Sequence, residues 1–280
     1  MTTIIDGRKL SKDILEEVKK EISYISFKPV FCDVLVGDSP ASVQYVNMKR
    51  KKAEEVGIHF HDASFPVNIS TPELVKEIEK INRIENMCGV IVQLPLPETL
   101  DQEKVLNAVD SNLDVDCLSM ITSEKFYGGD LFLGFPTALA CVAILDSLHL
   151  DLKDKKIVVM GFGKLVGMPV SSLLRFRNLN VEVVRSKTEN KEKILKEADI
   201  VITGMGKGKY ITGDMIKEGA VLIDAGSSES DSGIIGDVDL ESVTGVASFV
   251  SPVPGGVGPM TVAMLLQNVL KVAKSKKFRK

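Results

Sequence analysis

The sequence predicts an α/β protein of two domains, each built on parallel strands, and three observations carry that prediction. Its 280 residues exceed the roughly 100–200 of an ordinary domain. Its first third alternates apolar strand-like runs with amphipathic helical segments, the βαβ rhythm of a parallel sheet. A second, tighter alternation begins near Lys156, where the glycine-rich turn Gly161-Phe162-Gly163-Lys164-Leu165-Val166-Gly167 joins a strand to a helix. With 44% hydrophobic residues the chain can bury a core without disulfides or metals. Thirty-five basic against 38 acidic residues give a net charge of −3, which offers no general field for nucleic acid or an anionic membrane.

Each element follows from local pattern. Over residues 9–25, Leu10, Ile14, Val18 and Ile22 recur at helical spacing with charges between them. Residues 30–36 read as a strand. Asp38, Ser39 and Pro40 start a helix, because proline at the first helical position lacks only a donor that would have no partner there; Gly57 ends it. A strand is expected over 64–67, a helix over 71–82, and a buried strand over 89–94 that stops at Pro95. After Asp116 the chain reads as irregular until a helix over 137–148. The second series then runs strand 156–160, helix 166–178, strand 181–184, helix 191–198, and strands 200–203 and 221–224. A last apolar helix over 261–273, with no strand after it, is expected to pack back on the first domain. The tail 274–280 reads as a short, solvated basic fray.

Cys32, Cys88, Cys117 and Cys141 lie far apart with no CxxC pair, so neither a zinc site nor a disulfide framework is indicated. A reducing, cytoplasmic compartment is the expectation. The start shows no basic segment followed by an apolar run, and so no signal peptide. The uncharged stretch 131–145 is shorter than the roughly 20 residues of a membrane helix. The stretch 242–270 is interrupted by Pro252, Pro254 and Pro259. A soluble protein with no membrane and no nucleic-acid partner is expected.

Five places could hold chemistry. In the loop from Gly161 to Gly167, bare glycines let the backbone approach a pyrophosphate, and the following helix N-terminus favours its charge. That context predicts a Rossmann-like dinucleotide site of Gly161, Phe162, Gly163, Lys164, Val166 and Gly167, completed by Thr203 and Gly204 at the end of a later strand; the alternative is a tight strand-to-helix connection. After the strand 181–184, where an acid would hold the ribose of NAD, stand Arg185 and Ser186, which suit a 2′-phosphate and predict NADP. Tyr45 and Lys49 share a helix face and could flank a planar ligand. A buried lysine also moves protons readily, because desolvation lowers its pKa. Within Lys49-Arg50-Lys51-Lys52, however, pattern alone favours a solvated face. Gln93, Leu94 and Pro95 end an apolar strand with a polar amide. Of Asp114 and Asp116, one could take both hydrogens of an amino-pyrimidine edge, or both could shape a turn. His59, His61 and His149 have no supporting partner by spacing.

The segment Ser251-Pro252-Val253-Pro254-Gly255-Gly256-Val257-Gly258-Pro259-Met260-Thr261 resembles the signature of the methylenetetrahydrofolate dehydrogenase/methenyltetrahydrofolate cyclohydrolase family. The resemblance extends to Val36-Gly37-Asp38-Ser39-Pro40-Ala41-Ser42 with Tyr45 and Lys49, to Val92-Gln93-Leu94-Pro95-Leu96-Pro97, to Asp114-Val115-Asp116 and to Gly236-Asp237-Val238. It implies two α/β domains with a folate cleft between them. The first is a catalytic folate-binding domain over 1–118 completed by the helix 259–280, and the second a Rossmann-like NADP-binding domain over 119–258. It further implies NADP-dependent oxidation of 5,10-methylenetetrahydrofolate, then hydrolysis to 10-formyltetrahydrofolate. Lys49 would be catalytic, positioned by Gln93. Tyr45 would lie against the folate and Asp116 would grip the pterin, with Leu94, Pro95, Pro254, Gly255 and Gly256 lining the substrate. A cytoplasmic homodimer serving purine biosynthesis belongs to the same implication. The rivals are a monofunctional dehydrogenase and a non-catalytic NADP-binding regulatory protein. The sequence departs from the family's common pattern at Leu113, Cys117 and Phe162-Gly163.

Overall fold

The computed structural model describes residues 1–230 and 233–277. In chain order the elements begin with β1 (Thr3–Ile4), α1 (Gly7–Ile22), β2 (Val30–Val36), α2 (Pro40–Glu55), β3 (His59–Phe65), α3 (Thr71–Ile81) and β4 (Met87–Val92). Then follow α4 (Gln102–Asn107), α5 (Met120–Tyr127), α6 (Pro136–Ser147), β5 (Ile157–Met160), α7 (Gly167–Phe176), β6 (Val181–Val184), α8 (Lys191–Glu197) and β7 (Ile200–Thr203). The chain continues with β8 (Val221–Asp224), the hairpin β9 (Ser228–Ser230) and β10 (Gly233–Ile235), α9 (Leu240–Val243), β11 (Phe249–Val250) and α10 (Val257–Lys277).

These elements form two compact units. One comprises Met1–Lys12 and Thr137–Met264, the other Asp13–Pro136 and Leu265–Lys280. The second holds a three-stranded sheet, β3-β2-β4, parallel throughout. All seven residues of β2 and all six of β4 are buried, as parallel strands covered on both faces require. α2 packs against β2 and β3. The C-terminal part of α10 completes this core, where the buried amide of Asn268 donates to Val115 O at 2.9 Å and to Gly134 O at 2.7 Å.

The other unit holds a six-stranded parallel sheet, ordered β1-β11-β8-β7-β5-β6. The chain leaves β5 through α7 to β6 on one side, then returns through α8 to β7 on the other. Strand order therefore reverses between β5 and β7, the point at which open α/β sheets bind ligands outside their carboxyl ends.

The structure departs from the sequence-based expectation in several places. The strand expected over 64–67 begins at His59 and ends at Phe65, because β3 is an edge strand that buries only Phe60 and Ala63, one on each face, and shows no clear apolar period. The stretch after Asp116 is not irregular throughout: α5 starts there, capped by the Ser119 hydroxyl, which accepts from Thr122 N–H. The last helix extends beyond 261–273 at both ends, and the first stops at Ile22 rather than 25. The expected tail begins as helix to Lys277, and its residues 278–280 lie outside the described residues. The division into units also falls differently from the expected boundary. Residues 119–136 join the three-stranded unit, and residues 1–12 join the six-stranded one, where β1 pairs in parallel with β11. Among the described residues no helix is long and apolar enough to cross a membrane.

Candidate functional site

In the three-stranded unit the site grows from the inner face of α2. Val46, Lys49 and Ala53 are its buried residues, one turn apart, so Lys49 stands in the apolar stripe and not on the solvated face that its basic neighbours suggest. Only 2% of Lys49 is exposed. Its Nζ donates to Gln93 Oε1 at 2.8 Å and lies 4.7 Å from the centroid of the Tyr45 ring. Gln93 is fixed in turn, since its Nε2 donates to Leu94 O. Leu94 joins Pro95 through a cis peptide, and Pro95 is exposed. A third neighbour of Lys49 was missed from sequence: Asp33 Oδ2, in the middle of β2, lies 2.5 Å from Nζ.

The two aspartates after β4 have different surroundings. The Val90 N–H donates to Leu113 O at 2.8 Å, so their segment runs alongside β4. Asp114 accepts from the backbone N–H groups of Leu118 at 3.3 Å and Ser119 at 2.8 Å, which makes it the turn-forming carboxylate. Asp116 is left as the one facing the lysine. Burial pushes its carboxyl up to about 7; Lys49 opposes that shift, while Asp114 and Asp33 add to it. The Tyr45 phenol is also raised, first by burial and then by Asp116 and Asp33. Cys117, where glycine is common in the family, takes a left-handed backbone conformation with φ +59°.

In the six-stranded unit the glycine turn lies at the carboxyl end of β5, beside the switch point. Gly161 has φ +94°, and a Cβ there would stand 2.9 Å from Gly204 O. A Cβ on Gly167 would lie 2.2 Å from Gly161 O, so the bare backbone closes the turn at the start of α7. Gly163 and Lys164 are exposed and Val166 half-buried against Gly204. The Arg185 guanidinium lies 3.9 Å over the Phe162 ring, held by its face, which leaves its N–H edge for an anion. Ser186 is exposed beside it. Thr203 is turned to internal use: its hydroxyl donates to Asp237 Oδ2 at 2.7 Å, fully buried. Of the residues expected from the late loop, Pro254 follows a cis peptide and is exposed, Gly255 lies beside the Arg8 guanidinium, and Gly256 is buried. These three belong to the six-stranded unit.

The reversal of strand order at a bare-backbone turn, with a guanidinium at the end of the next strand, defines a dinucleotide-binding α/β protein; the other unit encloses a lysine between an amide and a carboxylate. Residues 5–116 match the family model of the tetrahydrofolate dehydrogenase/cyclohydrolase catalytic domain, and residues 136–277 match that of its NAD(P)-binding domain. The chain belongs to this family. It is 41% identical over 277 residues to the bifunctional protein FolD of Nautilia profundicola, covering 98% of each chain. It is 40% identical over 275 residues to that of Moorella thermoacetica, covering 97% of this chain and 98% of the other. The crystal structure of the bifunctional FolD dehydrogenase/cyclohydrolase of Campylobacter jejuni superposes with a TM-score of 0.93 at 35% identity, covering 99% of this chain and 100% of that one. A Trypanosoma brucei counterpart, complexed with NADP cofactor and inhibitor, gives a TM-score of 0.92 at 31% identity, covering 98% of each.

Proposed function

We propose that this enzyme oxidises 5,10-methylenetetrahydrofolate with NADP and then hydrolyses the methenyl product to 10-formyltetrahydrofolate. The observation that carries the reading is the enclosed Lys49, held between Gln93 and Tyr45 with Asp116 facing it. Asp116 binds the amino-pyrimidine edge, since a carboxylate accepts two parallel N–H bonds. Tyr45 supports the folate ring, and Leu94 and Pro95 border it. When bound, NADP accepts the hydride that leaves the methylene carbon. That carbon is flanked by two nitrogens that stabilise the resulting cation, so the first step needs geometry more than a proton.

Hydration of the cation does need proton transfer. Water adds to the methenyl carbon and loses a proton to the Lys49 amine; the ring nitrogen gains a proton as its bond to that carbon breaks. The Lys49–Gln93 contact supports this hydrolytic step over a monofunctional dehydrogenase. The turn from Gly161 to Gly167, with Gly204, fits a pyrophosphate, and Arg185 with Ser186 fits a 2′-phosphate. We place the enzyme in the cytoplasm as a homodimer, its formyl product serving purine synthesis; four buried thiols suit a reducing compartment. The test is to mix the protein with methylenetetrahydrofolate and either NADP or NAD, following reduced cofactor and methenyl absorbance together. Reduced cofactor with methenyl that accumulates and is never hydrolysed would refute the second activity.

A further inference from the structure

We infer that Asp33 is a positioning residue for Lys49, which it aims and whose proton it takes during methenyl hydrolysis. The inference rests on the catalytic reading of Lys49 given above. It starts from an anomaly: a carboxylate in the centre of Val30–Val36, a strand that is otherwise apolar apart from a cysteine and is buried at every position. The Asp33 side chain has no exposed surface and that of Lys49 has 3%. Burying an unpaired carboxylate is prohibitively unfavourable, and among the described residues no backbone group or neutral side chain donates a hydrogen bond to Asp33. Among the described residues its one compensating charge is the Lys49 ammonium at 2.5 Å.

The neighbouring pair shows what an ordinary contact from the same helix looks like. Asp62 stands in register with Asp33 on the adjacent strand and pairs with Arg50, the next residue of α2, at 2.6 Å. Those side chains are 54% and 36% exposed, so water screens them and the contact is worth little. The Asp33–Lys49 pair has no such screening. In a dry site, a proton can cross a contact this short with the pair remaining neutral overall: an N–H bond of Lys49 breaks and an O–H bond of Asp33 forms. The lone pair freed on Nζ then accepts the proton of the water that adds to the methenyl carbon, and the substrate's positive charge passes to the lysine. When the ring nitrogen has taken its proton and the carbonyl has formed, one proton leaves to solvent, as the net hydrolysis requires.

The other charged or titratable groups around the pair constrain this reading. Cys32 precedes Asp33 on β2, Tyr45 and Arg50 come from α2, Asp62 from β3, and Asp114 and Asp116 from the segment beside β4. Burial raises the Asp33 carboxyl above its ordinary range while Lys49 holds it down. Arg50 is engaged by Asp62, and Asp114 by backbone donors, which leaves Lys49 and Asp33 to exchange a proton directly.

The experiment measures methenyl hydrolysis and dehydrogenase turnover across pH for Asp33→Asn, Lys49→Met and the double variant, with NADP binding as the folding control. Asp33→Asn is expected to lower kcat for hydrolysis roughly 10-fold to 100-fold, the range of one charge-assisted contact. The pH limb belonging to the pair should disappear while the KM for folate changes little. Asp33→Glu should restore part of the limb, and the double variant should be no slower than Lys49→Met. Should Asp33→Asn fail to fold, Asp33→Thr removes the charge with a side chain that strands favour and must give the same profile. A parental rate and pH profile in either uncharged variant overturns the role of Asp33 where Lys49→Met has lost hydrolysis. Retained hydrolysis in Lys49→Met overturns instead the catalytic reading of the lysine.

Discussion

The two units of this enzyme build their sites from opposite materials. In the three-stranded unit the candidate site consists of charged side chains drawn into an apolar interior: Lys49 and Asp33 are among the few buried charged residues of those described. In the six-stranded unit it resides in what is missing, the Cβ atoms of Gly161 and Gly167, with a guanidinium resting on a half-buried ring. A proton-transfer centre needs low dielectric and a fixed partner, and so must be buried. A pyrophosphate brings its own charge and needs only backbone donors at close range. The first site is therefore sensitive to single charges and the second to single methyl groups.

The sharpest test of that contrast removes the lysine. Lys49→Met preserves helix and volume, and methenyl hydrolysis should fall by about 100-fold to 10,000-fold, with NADP affinity unchanged by titration. A methyl group should do the reverse in the other unit. Gly167→Ala puts a carbon against Gly161 O, and cofactor affinity should fall by at least about tenfold while methenyl hydrolysis, which uses no NADP, stays near parental. Loss of both activities in either variant would break the comparison.

The stripe Val46–Lys49–Ala53 explains how much of the first site was legible. Its spacing was present in the sequence, yet the adjacent Arg50, Lys51 and Lys52 masked it, and the motif resemblance identified the lysine before periodicity did. Asp33 had a signal of its own, one carboxylate within an apolar strand, but no local rule says which distant cation answers it. The glycine turn was easier, because strand, turn and helix are contiguous and local geometry is sufficient. Thr203 shows the limit there: its position at the strand end is right for the switch point, while its hydroxyl goes to Asp237. β3 and α5 were missed or misplaced because an exposed edge strand and a two-turn helix contain too few apolar residues for a clear period.

Arg185→Ala should reduce NADP preference over NAD by roughly 10-fold to 100-fold in kcat/KM, the worth of one charge-assisted contact. Equal preference before and after would remove Arg185 from the 2′-phosphate site. A smaller, graded effect is expected of pH on the other site. With the Asp116 carboxyl raised to about 7, it loses its charge below that value, so the KM for folate should rise as pH falls from about 8 to about 6, by up to about tenfold per unit. The sign for stability is opposite: folding takes up a proton at a raised carboxyl, so stability declines as pH rises toward about 7 and then levels. Asp116→Asn should accordingly raise Tm at about pH 8 and leave it unchanged at about pH 4, as a thermal melt would show. Smallest of all, Phe162→Leu removes the ring under Arg185 and should weaken NADP binding about two- to fivefold.

The Asn268 amide that holds Val115 and Gly134 comes from the last helix, more than a hundred residues after the segment it fastens. Chains leave the ribosome from the N-terminus at roughly 5–20 residues per second. Until residue 268 has been made, then, the loop bearing Asp116 exists without its latch, and this part of the three-stranded unit can close only after that. The N-terminal strand waits as well, since β1 has no partner until β11 emerges. Neither unit is a contiguous stretch of chain, and a message cut short before codon 265 leaves the three-stranded unit without its closing helix.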